Sequence, residues 1–166
     1  METERPSRFE TCMEIAMVVA KRSTCSRLHV GAVIAREGRV LTTGYNGAPA
    51  GMPHCDHTCD CTSYELMVAS QVEPITHVHA ANCAAVASCK VAVHAEANAV
   101  AFAARYPLST EGADLFTTHT PCLSCAQLLI NCGLKRVYYG MKFRDESGLA
   151  LLVSAGLEVI DWEHKV

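Results

Sequence analysis

The sequence predicts a layered α/β fold, on three observations. Two short apolar runs, residues 30–35 and 40–43, flank Glu37-Gly38-Arg39 and read as a β-hairpin. From residue 94 onward, helical and strand patterns alternate, and strands joined through helices lie parallel in a sheet. Half of the 166 residues are hydrophobic, enough for one compact core.

The elements follow in order. Ser7 and Glu10 have the spacing of a capping box, directly after Pro6. Cys12, Ile15, Ala16 and Val19 recur behind them at helical spacing, so residues 8–22 read as the first helix. The hairpin comes next. Residues 44–62 hold Gly44, Gly47, Pro49, Gly51 and Pro53 and read as a loop. Residues 63–89 read as a short helix near 65–72 followed by an irregular Cys/His segment. Residues 94–106 are Ala-rich and unbroken, a helix stopped by Pro107. Then come a strand at 114–118, a helix at 121–132 with Pro121 in its first turn and Gly133 past its end, and a strand at 135–139. A helix at 145–155 ends at Gly156, and a last strand covers 158–162. Tyr138 and Tyr139 are expected on opposite faces of the sheet. Residues 1–166 read as one domain, with 54–89 as an elaboration of it.

Composition narrows the function. Net charge is −3 and the Lys and Arg residues are scattered, which argues against a polynucleotide substrate and permits a small anionic one. No apolar run reaches 18 residues, and the first ten residues have no apolar core, so neither a membrane span nor a signal peptide is expected. A cytoplasmic, reducing setting then makes ten cysteines, interspersed with histidines, more consistent with metal than with disulfides. The apolar balance suggests burial between subunits.

Two segments carry chemistry: His94-Ala95-Glu96 and Thr120-Pro121-Cys122-Leu123-Ser124-Cys125, each at a predicted helix start. Alone, Cys-x-x-Cys could be a redox pair or plain core, and His-x-Glu is commonplace. Jointly they match the H-x-E…P-C-x-x-C signature of zinc deaminases. Cysteines three apart share one helix face, and a helix N-terminus favours thiolate. One imidazole and two thiolates leave a tetrahedral zinc one position for water, whose pKa falls to about 7. Glu96, two residues past the first ligand, can lean over that water and move its protons.

On these residues the chain resembles the cytidine and deoxycytidylate deaminase superfamily, most nearly the deoxycytidylate deaminases of bacteria and bacteriophages. Val30-Gly31-Ala32-Val33-Ile34, Gly44-Tyr45-Asn46-Gly47-Ala48-Pro49-Ala50-Gly51 and His94-Ala95-Glu96-Ala97-Asn98-Ala99 extend the likeness over nearly the whole chain. The resemblance implies a three-layer α/β/α fold around a five-stranded mixed sheet and conversion of dCMP to dUMP. It implies Asn46 at the sugar and the Ala95 backbone at the base. It implies a homo-oligomer, often a hexamer, activated by dCTP and inhibited by dTTP, with Mg2+. The substrate phosphate needs a cation or backbone donors, and Arg27 is the candidate. Arg105 could serve a subunit or effector contact or be simply solvated.

Cysteines and histidines also crowd residues 54–89: His54, Cys55, His57, Cys59, Cys61, His77, His79, Cys83 and Cys89. So many ligands in a weakly patterned segment point to a metal staple. The resemblance implies a structural zinc on Cys25, Cys55 and Cys89, with a fourth ligand among His54, His57, Cys59 and Cys61. A phage relative uses a glutamate two residues before the catalytic histidine, where this chain has Ala92, so that ligand set does not transfer whole. Cys59, Cys61, His79 and Cys83 could form a third site. Cys12 and Cys132 read as core, His29 and His164 as surface or strand positions. The competing functions are deamination of another cytosine compound, including a 5-modified dCMP, or of tRNA adenosine, and a zinc-stabilised binding protein without catalysis.

Overall fold

The computed structural model describes residues 5–25, 28–52, 54, 91–143 and 145–162. Helix α1 covers Arg8–Ala20. Ser7 Oγ accepts the Glu10 N–H at 3.1 Å, and the Glu10 carboxylate accepts the Ser7 N–H, the expected capping box. Strands β1 (Gly31–Arg36) and β2 (Arg39–Tyr45) form the hairpin. Its two turn residues, Glu37 and Gly38, have φ of 53° and 72°, the left-handed pair of a type I′ turn that matches strand twist. Ile34 faces Thr42 while Ala35 faces Val40, so Leu41 is an extra residue that bends the edge strand.

Then follow α2 (Ala95–Arg105), β3 (Asp114–His119), α3 (Leu123–Asn131), β4 (Arg136–Met141), α4 (Ser147–Ser154) and β5 (Glu158–Asp161). Strand order is β2-β1-β3-β4-β5. β1 is antiparallel to both of its neighbours, whereas β3, β4 and β5 are parallel. This is the mixed five-stranded sheet that the resemblance implies, and the parallel half is the one that helix–strand alternation predicts.

Side-chain alternation along the strands separates two cores. Ala32, Ile34, Leu115 and Val137 face Ala95, Ala99, Ala126, Leu129 and Leu152 of α2, α3 and α4. Val33, Ala35, Phe116 and Tyr138 face Cys12, Met13 and Ala16 of α1. The result is three layers. On the α1 side Phe116 and Tyr138 stack with centroids 4.6 Å apart, and Arg136 spans the rim, holding Asp114 through two 2.7 Å bonds.

Several boundaries differ from expectation. β2 runs on through Gly44 and Tyr45, so the loop starts later than residue 44. A Cβ on Gly44 would lie 2.1 Å from the Ala95 carbonyl oxygen, so only glycine lets the first turn of α2 settle on this strand. α3 begins at Leu123, not Pro121, because Cys122 takes the extended backbone of an N-cap (φ −72°, ψ 170°). α1 stops at Ala20 and α4 is shorter than predicted at both ends. Cys12 is core as expected, but Cys132 is only half-buried, because it caps the end of α3 instead of lying on its inner face. His29 is exposed, as expected, and so is Arg105. Among the described residues, no helix is long and apolar enough to cross a membrane.

Candidate active site

Two helix starts meet at one place. His94 is the N-cap of α2 and Cys122 the N-cap of α3. Neither side chain caps its own helix, although N-cap side chains commonly do. Both point instead to a shared point together with Cys125, from the first turn of α3. His94 Nδ1 lies 3.4 Å from each sulfur. The three donor atoms all lie within 4.8 Å of one another.

This geometry fits a zinc ion. With Zn–N about 2.0 Å and Zn–S about 2.3 Å, tetrahedral ligation sets nitrogen and sulfur roughly 3.5 Å apart. The donor set also suits the metal: a borderline-soft cation takes thiolates and imidazole. No further His, Cys, Asp or Glu joins this group among the described residues, which leaves the fourth position of a tetrahedral ion to a small molecule.

The protons are arranged accordingly. Hydrogen bonds from Cys125 and then from His94 pull the Cys122 thiol down to about 4. Cys125 is pushed up, first by sharing its proton with Cys122 and then by burial. His94 is raised chiefly by its bond to Cys122. One thiolate is therefore ready, and a cation would take the place of the remaining proton.

Glu96 lies in the first turn of α2, and only 3% of it is exposed. Its Oε2 accepts from the Cys125 thiol at 3.6 Å. Burial, the largest influence, raises its pKa above the ordinary carboxylate value. A carboxyl beside the ligands, but not one of the three, is what proton transfer to and from the open position requires.

The other expected residues are placed as follows. Ala95 is fully buried, its carbonyl against Gly44. Asn46 is buried at 7% exposure; its Oδ1 accepts the Val30 N–H and its Nδ2 donates to Leu28 O, both at 2.8 Å. Its amide thus pins the entry to β1 and keeps one hydrogen and one lone pair beyond these bonds. Cys25 is buried, and His54 is exposed. Arg27, Cys55, His57, Cys59, Cys61, His77, His79, Cys83, Cys89 and His164 lie outside the described residues.

Sequence reasoning missed two supports of the site. Asn98 Nδ2 donates to Tyr45 O at 2.7 Å, tying α2 to the end of β2. Thr120 accepts the Phe143 N–H at its Oγ1, 2.9 Å, and donates its own N–H to Met141 O, which fastens the turn before Cys122 to the loop after β4. Asn98 and the Thr-x-Thr before Pro121 were visible in the sequence, but their partners are set only by the tertiary fold.

Residues 6–141 match the family model described as the cytidine and deoxycytidylate deaminase zinc-binding region. The deoxycytidylate deaminase of Enterobacteria phage T2 is 32% identical over 187 aligned residues, covering 95% of this chain and 96% of that protein. The deoxycytidylate deaminase of Mycobacterium phage D29 is 39% identical over 81% of this chain and 95% of its own. The dCMP deaminase from the cyanophage S-TIM5, crystallised with dCMP and dUMP, superposes with a TM-score of 0.72 at 28% identity, covering 95% of this chain and 98% of that one.

Proposed function

The chain belongs to the cytidine and deoxycytidylate deaminase family, and we propose that it deaminates dCMP hydrolytically, yielding dUMP and ammonia. The observation that carries this is the convergence of His94, Cys122 and Cys125 with the buried carboxyl of Glu96 beside them. The relatives named deoxycytidylate deaminase, matched over nearly their full length, support the choice of substrate.

His94 Nδ1 and the two sulfurs would hold zinc, which when bound supplies Lewis acidity to a water at its fourth position. Glu96 does the proton work. Its carboxylate accepts a proton from the water as the C4–O bond forms and delivers it to N3 of the ring; it then takes the proton of the new C4 hydroxyl and passes it to the amino group, so that the C4–N bond breaks and ammonia leaves. Burial suits it to this task, because it raises the pKa of the carboxyl and so makes it a better proton acceptor than an exposed one.

The same reading places Asn46, Ala95 and Arg27 around the nucleotide. It includes a structural zinc on Cys25, Cys55 and Cys89, a hexameric cytoplasmic enzyme, and regulation by dCTP and dTTP with Mg2+. It rests for these points on the family resemblance.

The test is ammonia release by the zinc-loaded protein given dCMP, CMP, dCTP, cytidine and adenosine in parallel. Turnover of dCMP ahead of the others is expected. No turnover of any cytosine compound by protein with zinc bound would overturn the reading, and turnover of cytidine but not dCMP would remove its phosphate-recognition part. For the structural zinc, metal counting should give less zinc in Cys55→Ser than in wild type; equal content would count against that ligand set.

A further inference from the structure

The reaction above leaves one buried titratable side chain unused. His119 is the last residue of β3, three positions before Cys122, and only 6% of it is exposed. Leu115 belongs to the core beneath α2, α3 and α4, and Phe116 to the core beneath α1. Two-residue alternation carries Thr117 and His119 to the first of these faces. The pairing of β3 with β4 keeps its register through Thr117↔Tyr139 and His119↔Met141. His119 therefore projects from the carboxyl end of a parallel strand, on the face where α2 and α3 begin. In α/β sheets that edge is where ligands bind.

The ring is held firmly. Thr118 Oγ1 accepts the Gly31 N–H at 3.1 Å and lies 2.9 Å from His119 Nδ1; the tautomer that gives the hydroxyl hydrogen an acceptor has Nδ1 accepting it. The neutral ring then carries its proton on Nε2. Burial lowers the pKa of the group, which keeps it neutral. Phe143 packs on the ring with centroids 5.4 Å apart, and Phe143 is itself tied to Thr120. Nε2, in contrast, has no protein partner among the described residues. A ring fixed at one nitrogen and without a partner at the other among the described residues is a preorganised single donor.

We propose that His119 is a substrate-binding residue whose Nε2–H donates a hydrogen bond to an oxygen of the bound nucleotide. The proposal rests on the deaminase reading for the identity of the ligand. The oxygen belongs either to the phosphate or to the base and sugar, and the two sources are separable.

Two variants test it. The amide nitrogen of glutamine falls where Nε2 stands, and that of asparagine where Nδ1 stands. Steady-state kinetics with dCMP should show His119→Asn raising KM about tenfold at nearly unchanged kcat, the size of one lost hydrogen bond from an uncharged donor. His119→Gln should stay within about threefold of wild type, since it keeps the donor and gives up only the Thr118 bond. The same tenfold rise with deoxycytidine places the oxygen on base or sugar; a rise confined to dCMP places it on phosphate. A wild-type KM in His119→Asn overturns the proposal. So does a larger loss in Gln than in Asn, or loss of zinc from both, because either result makes the histidine a structural prop. Calorimetric binding of dUMP to wild type and to His119→Asn reads the contact without turnover, so its outcome is separate from failure of the deaminase assignment.

Discussion

At the residue scale, Glu96 must meet two demands. It must stay out of the ligand set, and it must stay close enough to pass protons. Its place two residues past His94, buried and 3.6 Å from the Cys125 sulfur, meets both. Glu96→Ala is therefore expected to retain zinc by metal analysis while turnover falls by about 10²–10⁴, the usual share of a positioned proton carrier. Activity near wild type in that variant would end its assigned role. His119 gives a second measurable consequence. Its pKa is lowered on folding, so its contribution to stability is present above about pH 6.5 and is lost as pH falls through the depressed value. Melting temperatures between pH 8 and 5 should fall less steeply in His119→Gln than in wild type; identical slopes would mean the ring is not held neutral by the fold. His94, Glu96, Cys122 and Cys125 were legible in the sequence because metal chemistry dictates both residue type and spacing. His119 and Asn98 were not, because their meaning depends on strand register and on which face a side chain takes.

At the scale of elements, α2 is set on β2 by what Gly44 lacks. The Ala95 carbonyl occupies the space a Cβ would need, and Ala99 follows closely behind. Gly44→Ala should push the start of α2 outward and cost about 2 kcal/mol in denaturant unfolding, as overpacking does. Because His94 and Glu96 ride on that turn, zinc content and kcat should drop together. Ser7→Ala makes the contrast: loss of the α1 cap costs about 1 kcal/mol and leaves zinc content unchanged. If Gly44→Ala lowers stability but keeps full activity, the helix start is not positioned by this contact. The α1 boundary was readable because Ser and Glu follow capping chemistry. The start of α3 was misread because Pro121 suggests a first helical turn, whereas Cys122 takes the cap position with its side chain committed elsewhere. Gly44 was read as a loop glycine, since sequence alone cannot tell a bend from a close approach.

At the scale of the molecule, helix–strand alternation foretold the parallel pairing of β3, β4 and β5. The resemblance implied a mixed five-stranded sheet but no strand order; the antiparallel insertion of β1 between β2 and β3 had no local signal, because strand order is settled by which apolar faces can be covered together. The two cores share the same strands, so a disturbance at one face reaches the other through single residues such as Phe116 and its neighbour Leu115. Removing zinc with a chelator should lower the melting temperature and release α2 from α3, and restoring zinc should reverse both. An unchanged melting temperature would mean that the packed core alone fixes the helices. The reason to expect a shift is topological. His94 and Cys122 are 28 residues apart in the chain, and both belong to the group placed to hold one metal ion. An ion bound there is a cross-link that closes a loop through α2 and β3, as a disulfide would. By chain entropy alone such closure is worth about 3–4 kcal/mol. Unlike a disulfide, it can be opened by a competing chelator without any change in oxidation state.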